Sequence, residues 1–165
     1  GRIIEEDDPA KPNARPQWLT WYLKFTGTNN CEMEGITNTI TGCNFSIKRR
    51  VVQKIGFFDE RFTGMAVRED ADYGIRCFKQ GLRMFFSPTA SVKHLKSRSG
   101  GVDTGIGNHF FSHSYYYNEM LFCSKHFSKP LQIYYRLRLY LRGWKALKKL
   151  IRNAMADGFT TRQEK

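Results

Sequence analysis

The chain has 165 residues, 41% of them hydrophobic and 25% charged, which suits one domain long enough to bury a core and is ordinary for a globular protein. No run of about 18 apolar residues occurs, so the sequence contains no helical membrane span. The formal net charge is +12, and it is uneven: from Ser124 onward eleven Lys or Arg stand against Asp157 and Glu164. A basic tail of this kind suits an anionic partner such as membrane headgroups, a phosphorylated acceptor or nucleic acid.

In chain order, Arg2 to Ile4 reads as a short strand and Glu5 to Pro16 as an acidic, Pro-punctuated loop containing Asp7-Asp8. Gln17 to Phe25 reads as a short helix with Trp18, Trp21, Tyr22 and Phe25 on one face, broken by Thr26 to Asn30. Ile36 to Thr41 is β-rich. The turn Gly42-Cys43-Asn44 and a second short strand, Phe45 to Ile47, follow. Lys48 to Ile55 reads as a helix stopped by Gly56, and Phe57 to Phe62 as a loop with aromatic anchors.

Arg68 to Gln80 is the clearest helix. Ile75, Phe78 and Leu82 repeat at helical spacing, Tyr73 adds to the buried side, and Gly81 is the stop. Strands are expected at Leu82 to Phe86 and Ser91 to Leu95, on either side of Pro88, then a Gly/Ser-rich loop from Lys96 to Asn108. Asn108 to Phe127 and Lys129 to Met155 read as two helices, with Pro130 in the first turn of the second. That second helix carries an apolar stripe (Ile133, Leu137, Tyr140, Trp144, Leu147, Ile151) and a basic one (Arg138, Arg142, Lys145, Lys149, Arg152). Cys31, Cys43, Cys77 and Cys123 form no CxxC pair and read as reduced thiols in a cytosolic protein.

Glu69-Asp70 opens the clearest helix just after the Gly64 loop. Carboxylates there suit general-base work, and they equally suit the dipole at a helix start. Asp70-Ala71-Asp72 spells D-x-D, but residues two apart on a helix point about 200° from each other, so a shared metal is not expected. His94, at a strand end before the glycine-rich loop, is either structural or a metal or phosphate contact. His109 and His113 have helical i, i+4 spacing without a third ligand and read as helix-surface residues. Gly42-Cys43-Asn44 is a turn that would also let a ligand approach the backbone closely.

The order of these pieces is more specific than any one of them. Gly42-x-Asn44-x-Ser46, Arg49-Arg50, Ile55-Gly56-x-Phe58-Asp59-Glu60-x-Phe62, Glu69-Asp70-x-Asp72-x-x-x-Arg76, Gly81, Pro88 and His94 together closely resemble the second half of family 2 glycosyltransferases of the GT-A fold. The resemblance is strongest from Ile36 to His94. It implies an α/β fold: a truncated GT-A-like mixed sheet with flanking helices over residues 1–107, and a basic helical extension over 108–165.

What the resemblance implies for chemistry is an inverting transfer from a nucleotide-sugar donor to a glycan or lipid-linked acceptor, as in cell-envelope polysaccharide synthesis. Asp70 takes the family's base position and Glu69 supports it. Gly42 and Asn44 would line the acceptor and donor-sugar side, with Arg76 behind them. His94 matches a position that contacts metal or diphosphate in some relatives. A divalent cation (Mn or Mg) is implied, held mainly by a nucleotide-binding half expected upstream of Gly1. Without that half the 165 residues are expected not to turn over donor. The remaining expectations are a cytoplasmic location, contact with the inner membrane face through the last helix, and a homodimer through an exposed sheet edge.

The alternative is a non-catalytic basic module that binds nucleic acid or an anionic membrane surface. The basic residues lie on one helix and no nucleic-acid signature occurs, so a nucleic-acid partner is not expected. For the last helix two readings stay open: an interfacial helix on anionic lipid, or an apolar stripe packed on the domain with a solvated basic face.

Overall fold

The computed structural model describes residues 1–5, 8–22, 24–64, 66–95 and 113–163; in the last helix, side chains are described up to Asn153 except at 146 and 150. The fold is α/β, with three small two-stranded sheets and four helices among the described residues. Strand β1 (Arg2–Ile4) pairs in parallel with β6 (Ser91–Lys93), Ile3 opposite Val92. The antiparallel pairs are β2 (Trp18–Leu19) with β3 (Phe25–Thr26), and β4 (Gly35–Thr37) with β5 (Met84–Phe86).

Helix α1 (Arg49–Ile55) ends where expected: Gly56 adopts φ 85° and its N–H bonds the Val52 carbonyl at 2.8 Å. Helix α2 (Glu69–Lys79) closes on Gly81 at φ 73°, with the Leu82 N–H returning to the Cys77 carbonyl at 3.1 Å. Tyr73 and Ile75 are buried as the pattern predicts, while Phe78 stays exposed with its ring edge against Trp18. Helices α3 (His113–His126) and α4 (Lys129–Gln163) form a hairpin, and the Gln132 amide caps α3 by donating to the Phe127 carbonyl at 2.8 Å.

Two expectations fail. Gln17 to Phe25 is a hairpin, not a helix: Leu19 pairs with Phe25, and the Asn38 amide occupies the other edge of Leu19. Its Nδ2 donates to the Leu19 carbonyl and its Oδ1 accepts the Leu19 N–H, both at 2.8 Å, so a side chain stands in for a neighbouring strand. Phe45 to Ile47 has no strand pairing, because the chain from Thr41 first turns back on itself through the bond from the Asn44 N–H to the Thr41 carbonyl. The loop from Lys96 to Asn108, His109, Asp7 and the boundary at 107/108 lie outside the described residues.

One core joins Ala71 and Ile75 of α2, Tyr115, Phe122 and Cys123 of α3, and Tyr135 and Leu139 of α4, with Leu19 and Phe62. Each such large side chain, fully buried, stabilises by roughly 1.5–3 kcal/mol. A charged network lies beside it. Asp72 is fully buried and accepts from His126 Nε2 at 2.7 Å, Lys125 Nζ at 2.6 Å and Arg76 Nε at 2.9 Å. Lys125 also pairs with Asp59, which holds Arg61. Arg76 donates onward to the carbonyls of Ile55 and Phe57, so the end of α1, the 57–62 loop, α2 and α3 are tied together.

Candidate active site

The turn into α2 is tightly wound. Gly64, Ala66 and Arg68 all adopt left-handed backbone, at φ 59°, 47° and 77°. For the two residues with side chains this conformation costs on the order of 1–2 kcal/mol each, so the surroundings must hold it. Two clamps do so. Asn118 pairs with both backbone groups of Thr63, at 3.1 and 2.8 Å. The Arg68 Nε–H lies 3.0 Å from each carboxylate oxygen of the buried Glu119, and Tyr135 hydroxyl donates to the same carboxylate.

This turn delivers Glu69 and Asp70 to the mouth of α2. Asp70 Oδ1 accepts the Ala71 N–H at 2.7 Å and Oδ2 accepts the Gly42 N–H at 3.2 Å. Burial pushes the Asp70 pKa up, these hydrogen bonds and Arg68 pull it down, and the net direction is up. Glu69 is also raised, by burial first and then by the charges of Asp70 and Asp72. A carboxylate with a raised pKa is a stronger proton acceptor than a free aspartate. Beside Asp70 lies an open cleft of about 370 Å³, lined among others by Gln17, Asn29, Thr41, Arg68 and Glu119.

Of the residues singled out in the sequence, Glu69, Asp70 and Gly42 come together. Gly42 serves Asp70 through its backbone, and the space where its Cβ would lie is open. Asn44 is engaged elsewhere. Its amide donates to the carbonyls of Arg2 and Ala90 at 2.9 and 2.8 Å, locking β1 to the turn before β6. Arg76 is committed to Asp72 and two carbonyls. His94 is exposed just past β6, its Nδ1 3.4 Å from Glu5. Among the described residues none of these three bonds Glu69 or Asp70.

A divalent cation needs several convergent oxygen or nitrogen donors. No group of three or more His, Cys, Asp or Glu converges in that way among the described residues. His94 and Glu5 supply one pair, and Asp72 is consumed by the buried network. The described residues therefore do not form a cation site by themselves.

Sequence reasoning missed Arg68 and Glu119. Arg68 immediately precedes the pair, and Glu119 is the one carboxylate in α3, surrounded in sequence by Tyr, Met and Phe. A lone acid in so apolar a helix was the available signal for a buried ion pair.

Fold and site together define an α/β chain whose central feature is a carboxylate set over a cleft, an arrangement suited to taking a proton. The model of the family described as Glycosyl transferase family group 2 matches residues 12–155. That match spans most of the chain, and the chain belongs to this family: it is a family 2 glycosyltransferase domain, and its general chemistry is glycosyl transfer. No curated protein and no solved structure gives a match.

Proposed function

We propose that this domain supplies the acceptor side and the catalytic base of an inverting glycosyl transfer from a nucleotide-sugar donor. The observation that carries this reading is Asp70, fixed by the N–H groups of Gly42 and Ala71 at the edge of the cleft with its pKa raised. In the reaction the acceptor hydroxyl gives its proton to Asp70 as its oxygen attacks the anomeric carbon. The bond from that carbon to the diphosphate oxygen breaks, and the nucleoside diphosphate leaves with the electron pair. One displacement inverts the anomeric centre.

Glu69 stands beside the base as its supporting carboxylate, its own pKa raised by burial and then by the charges of Asp70 and Asp72. Gly42 orients the base, and its open side leaves room for the acceptor. The acceptor is proposed to be a glycan or a lipid-linked saccharide. In the enzyme that carries this chain, Asp70→Asn is expected to lower transfer by about 10²–10⁴-fold while donor binding persists. Transfer at the wild-type rate by that variant reassigns the base.

A further inference from the structure

The helix α4 has two separate faces, one docked and one exposed. Gln132, Tyr135 and Leu139 are buried against the rest of the protein. The stripe visible in the sequence is not that face: Ile133, Leu137, Tyr140, Trp144, Leu147 and Ile151 are all exposed. At 100° per residue they occupy an arc of about 80° on the side away from the docked residues. Gly143 marks where packing stops. It gives room to the Tyr116 hydroxyl, near the start of α3, at 2.6 Å from where a Cβ would sit. Beyond it, Trp144, Leu147 and Ile151 have no covering element among the described residues.

The charge around this stripe favours one kind of occupant. Between Lys129 and Ala156 the helix carries many Lys and Arg and no Asp or Glu. Tyr134 and Leu141, also exposed, widen the apolar face on one side; Arg138, Lys145, Lys149 and Arg152 follow beyond them with Arg142 on the far side, and Arg136 borders the other edge. Tyr134, Leu137 and Leu141 with Arg138, Arg142 and Lys145 form a shallow groove of about 310 Å³, an apolar floor with cations at its rim. Lys148 lies 5.3 Å from the centre of the Trp144 ring.

We propose that the exposed stripe of α4 docks onto an anionic phospholipid surface, with Leu137, Trp144, Leu147 and Ile151 entering the headgroup–acyl boundary and the basic border meeting lipid phosphates. Tryptophan and tyrosine favour that depth, and long cationic side chains bury their stems while their heads reach the phosphates. A second copy is a poorer occupant, since pairing two such helices brings two wholly basic borders together. A nucleic acid would use the cations and leave the apolar stripe in water. Lipid docking through α4 is independent of the transfer reaction.

The experiment is binding of the 165-residue chain to phosphatidylcholine vesicles with and without phosphatidylglycerol. Binding is expected only with phosphatidylglycerol, weakening as salt rises. Lys145→Glu/Lys149→Glu/Arg152→Glu and, separately, Trp144→Ser/Leu147→Ser/Ile151→Ser are each expected to weaken it by about a hundredfold or more. All six positions lie beyond Gly143 and outside the core, so circular dichroism should show an unchanged fold. Quenching by brominated lipid should fall in Trp144→Phe. The proposal is overturned by failure to bind anionic vesicles or by binding that survives the serine variant. It is also overturned by affinity for duplex DNA exceeding that for vesicles, or by a dimer that the serine variant dissolves.

Discussion

Asp70 owes its setting partly to a residue one turn further along α2. Gly74 lies against the chain that follows β4: a Cβ there would sit 2.8 Å from the Thr39 Cα and 2.9 Å from the Asn38 carbonyl oxygen. Both are backbone atoms and cannot swing aside. This approach lets the segment leading to Gly42 run close enough for its N–H to reach Asp70. Alanine is the better helix former by about 1 kcal/mol, so propensity alone favours Gly74→Ala. The clash should win, with a net loss of about 1–3 kcal/mol. Urea unfolding checks this through a lower midpoint at unchanged slope; a higher midpoint would mean that the approach is not rigid.

At the scale of elements, the ion pair between Arg68 and Glu119 joins the α2 turn to α3, and Tyr135 adds α4. Both charged groups are withdrawn from water. Arg68→Met strands Glu119 in the core and should cost about 3–5 kcal/mol. Replacing both, as Arg68→Met/Glu119→Leu, should recover much of that loss, because the pair's desolvation disappears with it. Thermal melts of the two variants and wild type test the ordering; a double variant less stable than the single one defeats it. In the enzyme, transfer should fall in the double variant even where stability returns, since the left-handed Arg68 aims the carboxylate pair.

These ties also mark where sequence reasoning reached and where it stopped. Helices α1 and α2 were legible because their signals are local: a left-handed glycine stop after each, and in α2 an apolar period and an acidic first turn as well. The 17–25 segment deceived because Trp18, Trp21, Tyr22 and Phe25 recur at helical spacing, yet Asn38, about twenty residues away, supplies a strand-like edge to Leu19. The same limit hid the partners of Asn44 and Asn118. An amide's partner is fixed by the tertiary fold, and nothing beside it in sequence names that partner. The place of Asp70 in the first turn of α2 was legible because it opens the clearest helix; the ion pair of Glu119 was not, since its partner lies 51 residues away.

For the whole molecule, acid should act with two opposite signs. Asp70 and Glu69 have raised native pKa values, chiefly from burial, so their ionised forms destabilise the fold near neutrality. That cost is relieved as pH falls through those native values. Asp59 is held well below the usual carboxylate range, first by Arg61, against burial, and then by Lys125. Burial pushes Asp72 up, but hydrogen bonds from His126 and Lys125 outweigh it and the net direction is down. Their contribution is fully present above the unfolded aspartate value of about 3.9 and is lost as pH falls through the native values. Melting temperature should therefore rise on mild acidification, pass a maximum above about pH 4 and then drop. Transfer should already decline on the rising limb, because a protonated Asp70 cannot accept the acceptor's proton. Melting curves across pH for Asp70→Asn and Asp72→Asn separate the two contributions: the first should flatten the rise, the second the acid drop. An Asp72→Asn variant with an unchanged acid limb would remove the buried network from the acid response and leave that limb to Asp59.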